Sequence, residues 1–198
     1  IGRELARGGQ VYCVAPRISD LEEVAALVHA LFPAASLLVA HGQHRDVEER
    51  LVRFANGEAQ VLVSTAIIEA GLDVANVNTI VVFHAQRFGL ASLYQLRGRV
   101  GRSSRSAYAL LTYPKAKDLT PDAEQRLKAI EEFTQLGSGL SLAQRDLEIR
   151  GAGSLLGSDQ SGEINAVGTQ LFISMLNAAV LDLKRNGSKA LREAVAKK

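Results

Sequence analysis

The octapeptide Gln95-Leu96-Arg97-Gly98-Arg99-Val100-Gly101-Arg102 carries the strongest chemical signal in the chain. Its two glycines let the backbone pass close to a partner. Arg99 and Arg102 stand three residues apart, a spacing that on one helical turn points both guanidinium groups at a single anion. An arginine delivered to a transferring phosphoryl group neutralises charge that develops in the transition state, an effect of about 10³ to 10⁵ in rate. Gln95 is placed to bridge a γ-phosphate or to hold an arginine. The competing reading is a solvated basic surface with a glycine turn. The Q-x-x-G-R-x-x-R spacing, set between a helix and a strand, favours the phosphate.

Two further positions fit phosphate. Thr65 follows the apolar run Val61–Val63 and leads into Gly71-Leu72-Asp73. A hydroxyl where a strand turns into a helix puts backbone N–H groups and a side chain at a natural anion site. Gly71 permits close approach, and Asp73 can accept from a ribose or a metal-bound water. Alone, Thr65 is more often a plain helix cap and Asp73 more often a turn residue; the joint T-x5-G-x-D spacing is what informs. His41-Gly42-Gln43 ends another apolar run, at a strand C-terminus where α/β folds bind ligands, although a single histidine there is also an ordinary loop residue.

No G-x-x-x-x-G-K-[ST] loop occurs, since no glycine is followed by lysine, and no D-E-x-x pair follows a strand. Arginine fingers without a phosphate-cradling loop make half of an ATPase. The other half is expected from the same polypeptide or from a partner. The chain opens at Ile1-Gly2-Arg3 without a methionine and reads as a piece of a longer protein.

Composition agrees. Hydrophobic residues are 47 % and charged residues 22 %, the balance of a domain that buries a core. Net charge is only +2, but 16 of the 23 basic residues are Arg, the cation suited to planar phosphate contact, and four lie between Arg97 and Arg105. One cysteine and four scattered histidines give no metal site. No apolar run approaches the roughly 20 residues that span a bilayer, so no membrane partner is expected.

The elements that must position these residues follow from periodicity. Continuous apolar runs at Val11–Ala15, Leu37–Ala40, Val61–Val63, Ile80–Phe83 and Ala107–Tyr113 predict strands covered on both faces. Ser19-Asp20-Leu21-Glu22 reads as a capping box opening a helix with Leu21, Val24, Ala25 and Val28 inward. Val47, Leu51 and Phe54 line a second helix, stopped by Asn56-Gly57. A third is predicted over Leu90–Arg97. This alternation predicts a parallel α/β sheet over residues 1–117. Thr120-Pro121-Asp122 starts a helix with Ala123, Leu127, Ile130 and Phe133 inward, ended by Gly137-Ser138-Gly139. Another runs from Ser141 to Ile149. A glycine-rich loop and a last helix with Phe172, Met175 and Leu176 on one face follow.

At these residues the chain resembles the second RecA-like lobe of a superfamily-2 helicase or translocase. Val63–Val74 resembles motif V of that superfamily and Gln95–Arg102 its motif VI. Phe88–Arg102 is similar to the RecG and Mfd group of double-stranded DNA translocases. Asp146-Leu147-Glu148-Ile149-Arg150-Gly151-Ala152-Gly153, Leu156-Gly157 and Gln160-Ser161-Gly162 resemble the group's TRG motif, a helical hairpin and loop. Gly137-Ser138-Gly139-Leu140 and the segment from Val167 resemble the transcription–repair coupling branch more than the RecG branch. Tyr94 and Arg87 depart from the usual bacterial pattern.

The resemblance implies three parts: a RecA-like parallel sheet flanked by helices (1–117), a TRG helical hairpin and loop (118–165) and a long C-terminal helix (166–198). It implies that Arg99 and Arg102 are arginine fingers and that Gln95 senses the γ-phosphate. Gly71, Asp73 and Gly98 would face the nucleotide; Thr65, His41 and Gly42 would touch the DNA backbone; Arg126, Arg150 and Gln160 would couple ATP use to movement. ATP and Mg²⁺ would sit mainly on a first RecA-like lobe in cis. Implied partners are double-stranded DNA and, through other domains, RNA polymerase and nucleotide-excision-repair proteins. The implied compartment is the bacterial cytoplasm at the nucleoid, or a plastid. The alternatives are a RecG-like remodeller of branched DNA, a standalone nucleic-acid-binding module and a Rossmann-type enzyme. Gly151-Ala152-Gly153 lacks both the strand and the third glycine that the last requires.

Overall fold

Apolar runs that alternate with amphipathic segments leave few ways to bury both, and a sheet sandwiched between helices is the simplest. The computed structural model describes residues 1–70, 74–115, 119–133 and 139–150. Its elements are α1 (Gly2–Ala6), β1 (Gln10–Val14), α2 (Leu21–Leu31), β2 (Leu37–Ala40), α3 (Val47–Ala55), β3 (Val61–Ser64), β4 (Val77–Val82), α4 (Leu90–Arg97), β5 (Tyr108–Leu111), α5 (Pro121–Glu132) and α6 (Gly139–Arg150). The five strands form one sheet in the order β2-β3-β1-β4-β5, with every pairing parallel. The expected parallel α/β architecture is therefore present. Residues 1–146 cluster as one compact unit and 147–198 as another.

The central strands β1, β3 and β4 are buried along their whole length. The edge strand β5 is not: it alternates, leaving Tyr108 and Leu110 each 49 % exposed. Continuous burial needs cover on both faces, and an edge strand has less of it. On one face of the sheet Val11, Cys13, Val61, Val63 and Val81 pack with Leu21, Val24 and Val28. Burial there pushes the Cys13 thiol up to about 12, so it behaves as a small hydrophobe. Elsewhere in the core the Tyr12 and Phe54 rings meet at 5.5 Å.

The capping box before α2 is a correction. The N-cap is Asp20, at the end of a short 3-10 turn, and no side chain caps the helix. Ser19 Oγ lies against Asp20 Oδ1 instead. The start of α5 follows its sequence signal: Thr120 Oγ1 accepts from the Ala123 N–H at 3.3 Å, and Pro121 occupies the first turn. Helix α5 ends at Glu132, before the predicted glycine stop, and Gly139 of that stop opens α6; Gly137, Ser138, the glycine-rich loop and the last predicted helix lie outside the described residues.

Candidate functional site

Helix α4 turns Leu90, Leu93 and Leu96 into the core, so Gln95 is exposed on its outer side. The helix ends at Arg97. The Arg99 N–H still reaches the Leu96 carbonyl at 3.0 Å, but Gly101 takes a left-handed φ of +84° and redirects the chain. Arg99 and Arg102 therefore do not share a helical turn, which corrects the simple spacing argument. Arg102 is brought back differently: its Nε donates to the Gly98 carbonyl at 3.3 Å. Gln95, Gly98, Arg99 and Arg102 thus sit on one turn, with Arg99 half-buried and the others exposed. A Cβ on Gly98 would meet the Gln95 carbonyl at 3.3 Å, so the turn has little room for another residue there.

Arg97, a neighbour in the same motif, is a structural residue. Its guanidinium lies 5.0 Å from the Tyr94 ring centroid and donates to the Ile130 carbonyl of α5 at 2.9 Å. The two departures from the usual pattern both have local partners: Tyr94 holds Arg97, and Arg87 lies 3.7 Å from Asp20.

The turn leads into β5 at the N-terminal end of the sheet, where a polar network meets it. Ser103 Oγ donates to Asn78 Oδ1 at 2.6 Å and accepts from the Arg105 N–H. Arg7 Nη2 donates to the Ser106 carbonyl at 2.8 Å. Glu4, only 2 % exposed, receives Arg7 Nε at 3.0 Å and the Thr79 hydroxyl at 2.6 Å. Burial raises the Glu4 carboxyl, but the hydrogen bonds from Arg7 and Thr79 outweigh it and hold the group below its ordinary value of 4.5. Sequence reasoning missed this network. Its signals were an i,i+3 Glu–Arg pair and an Asn-Thr pair inside an apolar strand.

Thr65, His41 and Gly42 lie at the opposite, C-terminal end of the sheet. Ala40 and Ser64 are in register, so His41 and Thr65 leave adjacent strands at the same level. A Cβ on Gly42 would come within 3.9 Å of Ile67, just past Thr65. The His41 ring stacks on His44 with centroids 3.6 Å apart, and the His41 N–H donates to His44 Nδ1 at 3.3 Å. Burial and the positive charges of His41 and Arg50 hold His44 below its ordinary value of 6.5.

Arg126 projects from α5 and donates through Nη2 to the Gln86 carbonyl at 3.2 Å. Arg150 ends α6. Gly71, Asp73 and Gln160 lie outside the described residues. Among the described residues no group of three or more His, Cys, Asp or Glu comes together to hold a metal. The Gln95 amide and the Arg99 and Arg102 guanidinium groups around Gly98 are groups of the kind that hold phosphate oxygens. Among the described residues, no helix is long and apolar enough to cross a membrane.

Comparison with known proteins places these features. Residues 1–104 match the helicase conserved C-terminal domain. The chain is 52 % identical over 191 residues to the transcription-repair-coupling factor of Bacillus subtilis, covering 96 % of this chain and 16 % of that protein. It is 53 % identical over 180 residues to the corresponding factor of Staphylococcus haemolyticus, covering 90 % of this chain and 15 % of that protein. It therefore spans about one sixth of the length of these curated relatives. Among solved structures, RecG bound to a three-way DNA junction superposes with a TM-score of 0.64 at 36 % identity, over 77 % of this chain and 20 % of RecG. Domain 2 of the DEAD-box helicase Mss116p, at 20 % identity over 68 % of this chain and 51 % of that chain and a TM-score of 0.53, shares the fold.

Proposed function

The chain belongs to the family of helicase conserved C-terminal domains, and on that premise we propose that it is the second motor lobe of a longer ATP-dependent double-stranded DNA translocase that acts in transcription-coupled DNA repair. What supports this reading most is the reach of the likeness. The general helicase match ends at residue 104, whereas the 52 % identity to a coupling factor runs over 191 residues, through α5 and α6.

Each residue then has a part. Arg99 and Arg102 reach across to a nucleotide held by a first RecA-like lobe and stabilise charge on its phosphoryl oxygens. Gln95 orients the γ-phosphate end, and Gly71, Asp73 and Gly98 face the nucleotide. ATP with Mg²⁺, when bound, supplies the phosphoryl transfer that drives the cycle. At the other end of the sheet, Thr65 and the His41-Gly42 turn hold DNA phosphates, a contact indifferent to sequence and weakened by salt. Arg126, Arg150 and Gln160, in the segment 118–165, couple lobe closure to movement, and the segment 166–198 extends that device. RNA polymerase and repair proteins engage other domains, in the bacterial cytoplasm at the nucleoid.

The test uses the full-length parent. Arg99→Ala and Arg102→Ala are each expected to lower ATP turnover by about 10³-fold while nucleotide binding persists. The isolated 198 residues are expected to hydrolyse no ATP. Wild-type turnover in both variants, or robust hydrolysis by the isolated chain, would overturn the half-site reading. Efficient displacement of a stalled polymerase supports the coupling role; regression of branched DNA in its place would move the assignment to RecG-like remodelling.

A further inference from the structure

The turn carrying Arg99 and Arg102 leaves α4 at Arg97 and rejoins regular structure only at Tyr108. Side-chain tethers therefore set where it stands. Ser103 is tied to Asn78, and the Ser106 carbonyl is tied to Arg7. Both lines run back to one buried carboxylate. Glu4 accepts from Arg7 and from Thr79, the residue next to Asn78 in the chain.

The backbone is shaped for this. Between β1 and β4 the register steps from Gln10↔Val77 to Val11↔Thr79, which makes Asn78 the extra residue of a β-bulge. In a regular strand Asn78 and Thr79 would point to opposite faces. The bulge breaks that alternation: Thr79 reaches Glu4 while Asn78 reaches Ser103. The Asn78 amide N–H₂ donates to the Asn76 carbonyl at 3.4 Å and leaves Oδ1 for the Ser103 hydroxyl. Space is reserved as well: a Cβ on Gly9 would fall 1.8 Å from Glu4 Oε1.

We propose that Glu4 is the positioning residue of the arginine-finger turn, holding it from one side through Arg7 and Ser106 and from the other through Thr79, the adjoining Asn78 and Ser103. The proposal rests on the finger reading of Arg99 and Arg102. It makes α1 and the turn, about a hundred residues apart in the chain, one mechanical piece. A displacement of about 1 Å at a reacting group costs up to about 100-fold in rate. The tethers thus matter to turnover without touching the nucleotide.

The experiment measures DNA-stimulated ATP hydrolysis by the full-length parent, with kcat and KM for ATP and the melting temperature. Variants are Ser103→Ala, Glu4→Gln, the double variant and Arg102→Ala. Ser103 is in the surface turn, so its variant stays folded even where Glu4→Gln is unstable. The expected result is a kcat about tenfold lower for Ser103→Ala and as much as about 100-fold lower for Glu4→Gln, with KM within about twofold of wild type. Because both act through one line, the double variant is expected to be no slower than Glu4→Gln. Wild-type kcat in Ser103→Ala and Glu4→Gln beside lost turnover in Arg102→Ala overturns the anchor and spares the finger reading. So does a double variant whose losses multiply. Wild-type turnover in Arg102→Ala overturns the finger reading itself.

Discussion

Arg126 on α5 donates to the carbonyl of Gln86, in the turn that follows β4, at 3.2 Å. The bond joins the helix beyond the sheet to the loop leaving a central strand. Arg97 makes a second tie in the other direction, from α4 to the Ile130 carbonyl. A helix pinned at both places moves with the sheet, as a coupling element must. Arg126→Ala in the full-length parent is therefore expected to leave ATP turnover within about threefold of wild type and to abolish DNA translocation, read by triplex displacement. Equal loss of both activities would count against coupling. Arg126→Lys, which keeps the charge but not the planar donor set, should rescue only weakly.

Glu4 makes the fold pH-sensitive in a defined direction. Its folded carboxyl titrates below the ordinary 4.5, so it contributes stability above that pH and loses it as pH falls through the lower, folded value. In urea unfolding of the 198-residue chain at pH 7, Glu4→Gln is expected to cost about 1–3 kcal/mol, since Arg7 and Thr79 lose a charged acceptor. The gap between wild type and variant should narrow as pH falls below 4.5. A gap that widens there contradicts the assignment.

Gly9→Ala tests the packing behind that carboxylate. The added methyl meets Glu4 Oε1 at 1.8 Å, and the carboxylate is hemmed in by Arg7 and Thr79. An expected loss of about 1–3 kcal/mol follows from overpacking. Gly8→Ala puts its methyl in open space but at φ +75°, so it should cost only the backbone strain of about 1 kcal/mol. Equal losses at the two glycines would contradict the steric argument.

His44 is expected to titrate below 6.5 by NMR, because burial and the nearby charges of His41 and Arg50 disfavour its cation. A depressed value means that His44 contributes stability above pH 6.5 and loses it as pH falls through the folded value. The proton would also displace the bond that Nδ1 accepts from the His41 N–H. His41→Gln should move His44 only part of the way back to 6.5, since burial comes first among the causes. A value above 6.5 in the wild type would contradict this account.

What the amino-acid order determined by itself is local. The apolar runs that became β1 to β5 and the stripes on α2 and α5 are short-range patterns, and a run either alternates or does not. Thr120-Pro121 caps α5 because the cap and the donor it satisfies lie three residues apart. The Gln95–Arg102 motif was legible for the same reason. Only the folded chain decided the rest. It used a left-handed Gly101 to bring Arg102 back to Gly98. It spent Arg97 on Tyr94 and α5 rather than on phosphate. It put Thr79 against Glu4 across 75 residues of chain by way of a bulge at Asn78. A buried charge must find its partners wherever the parallel register delivers them, and register arises from strands meeting in space, not from spacing along the chain.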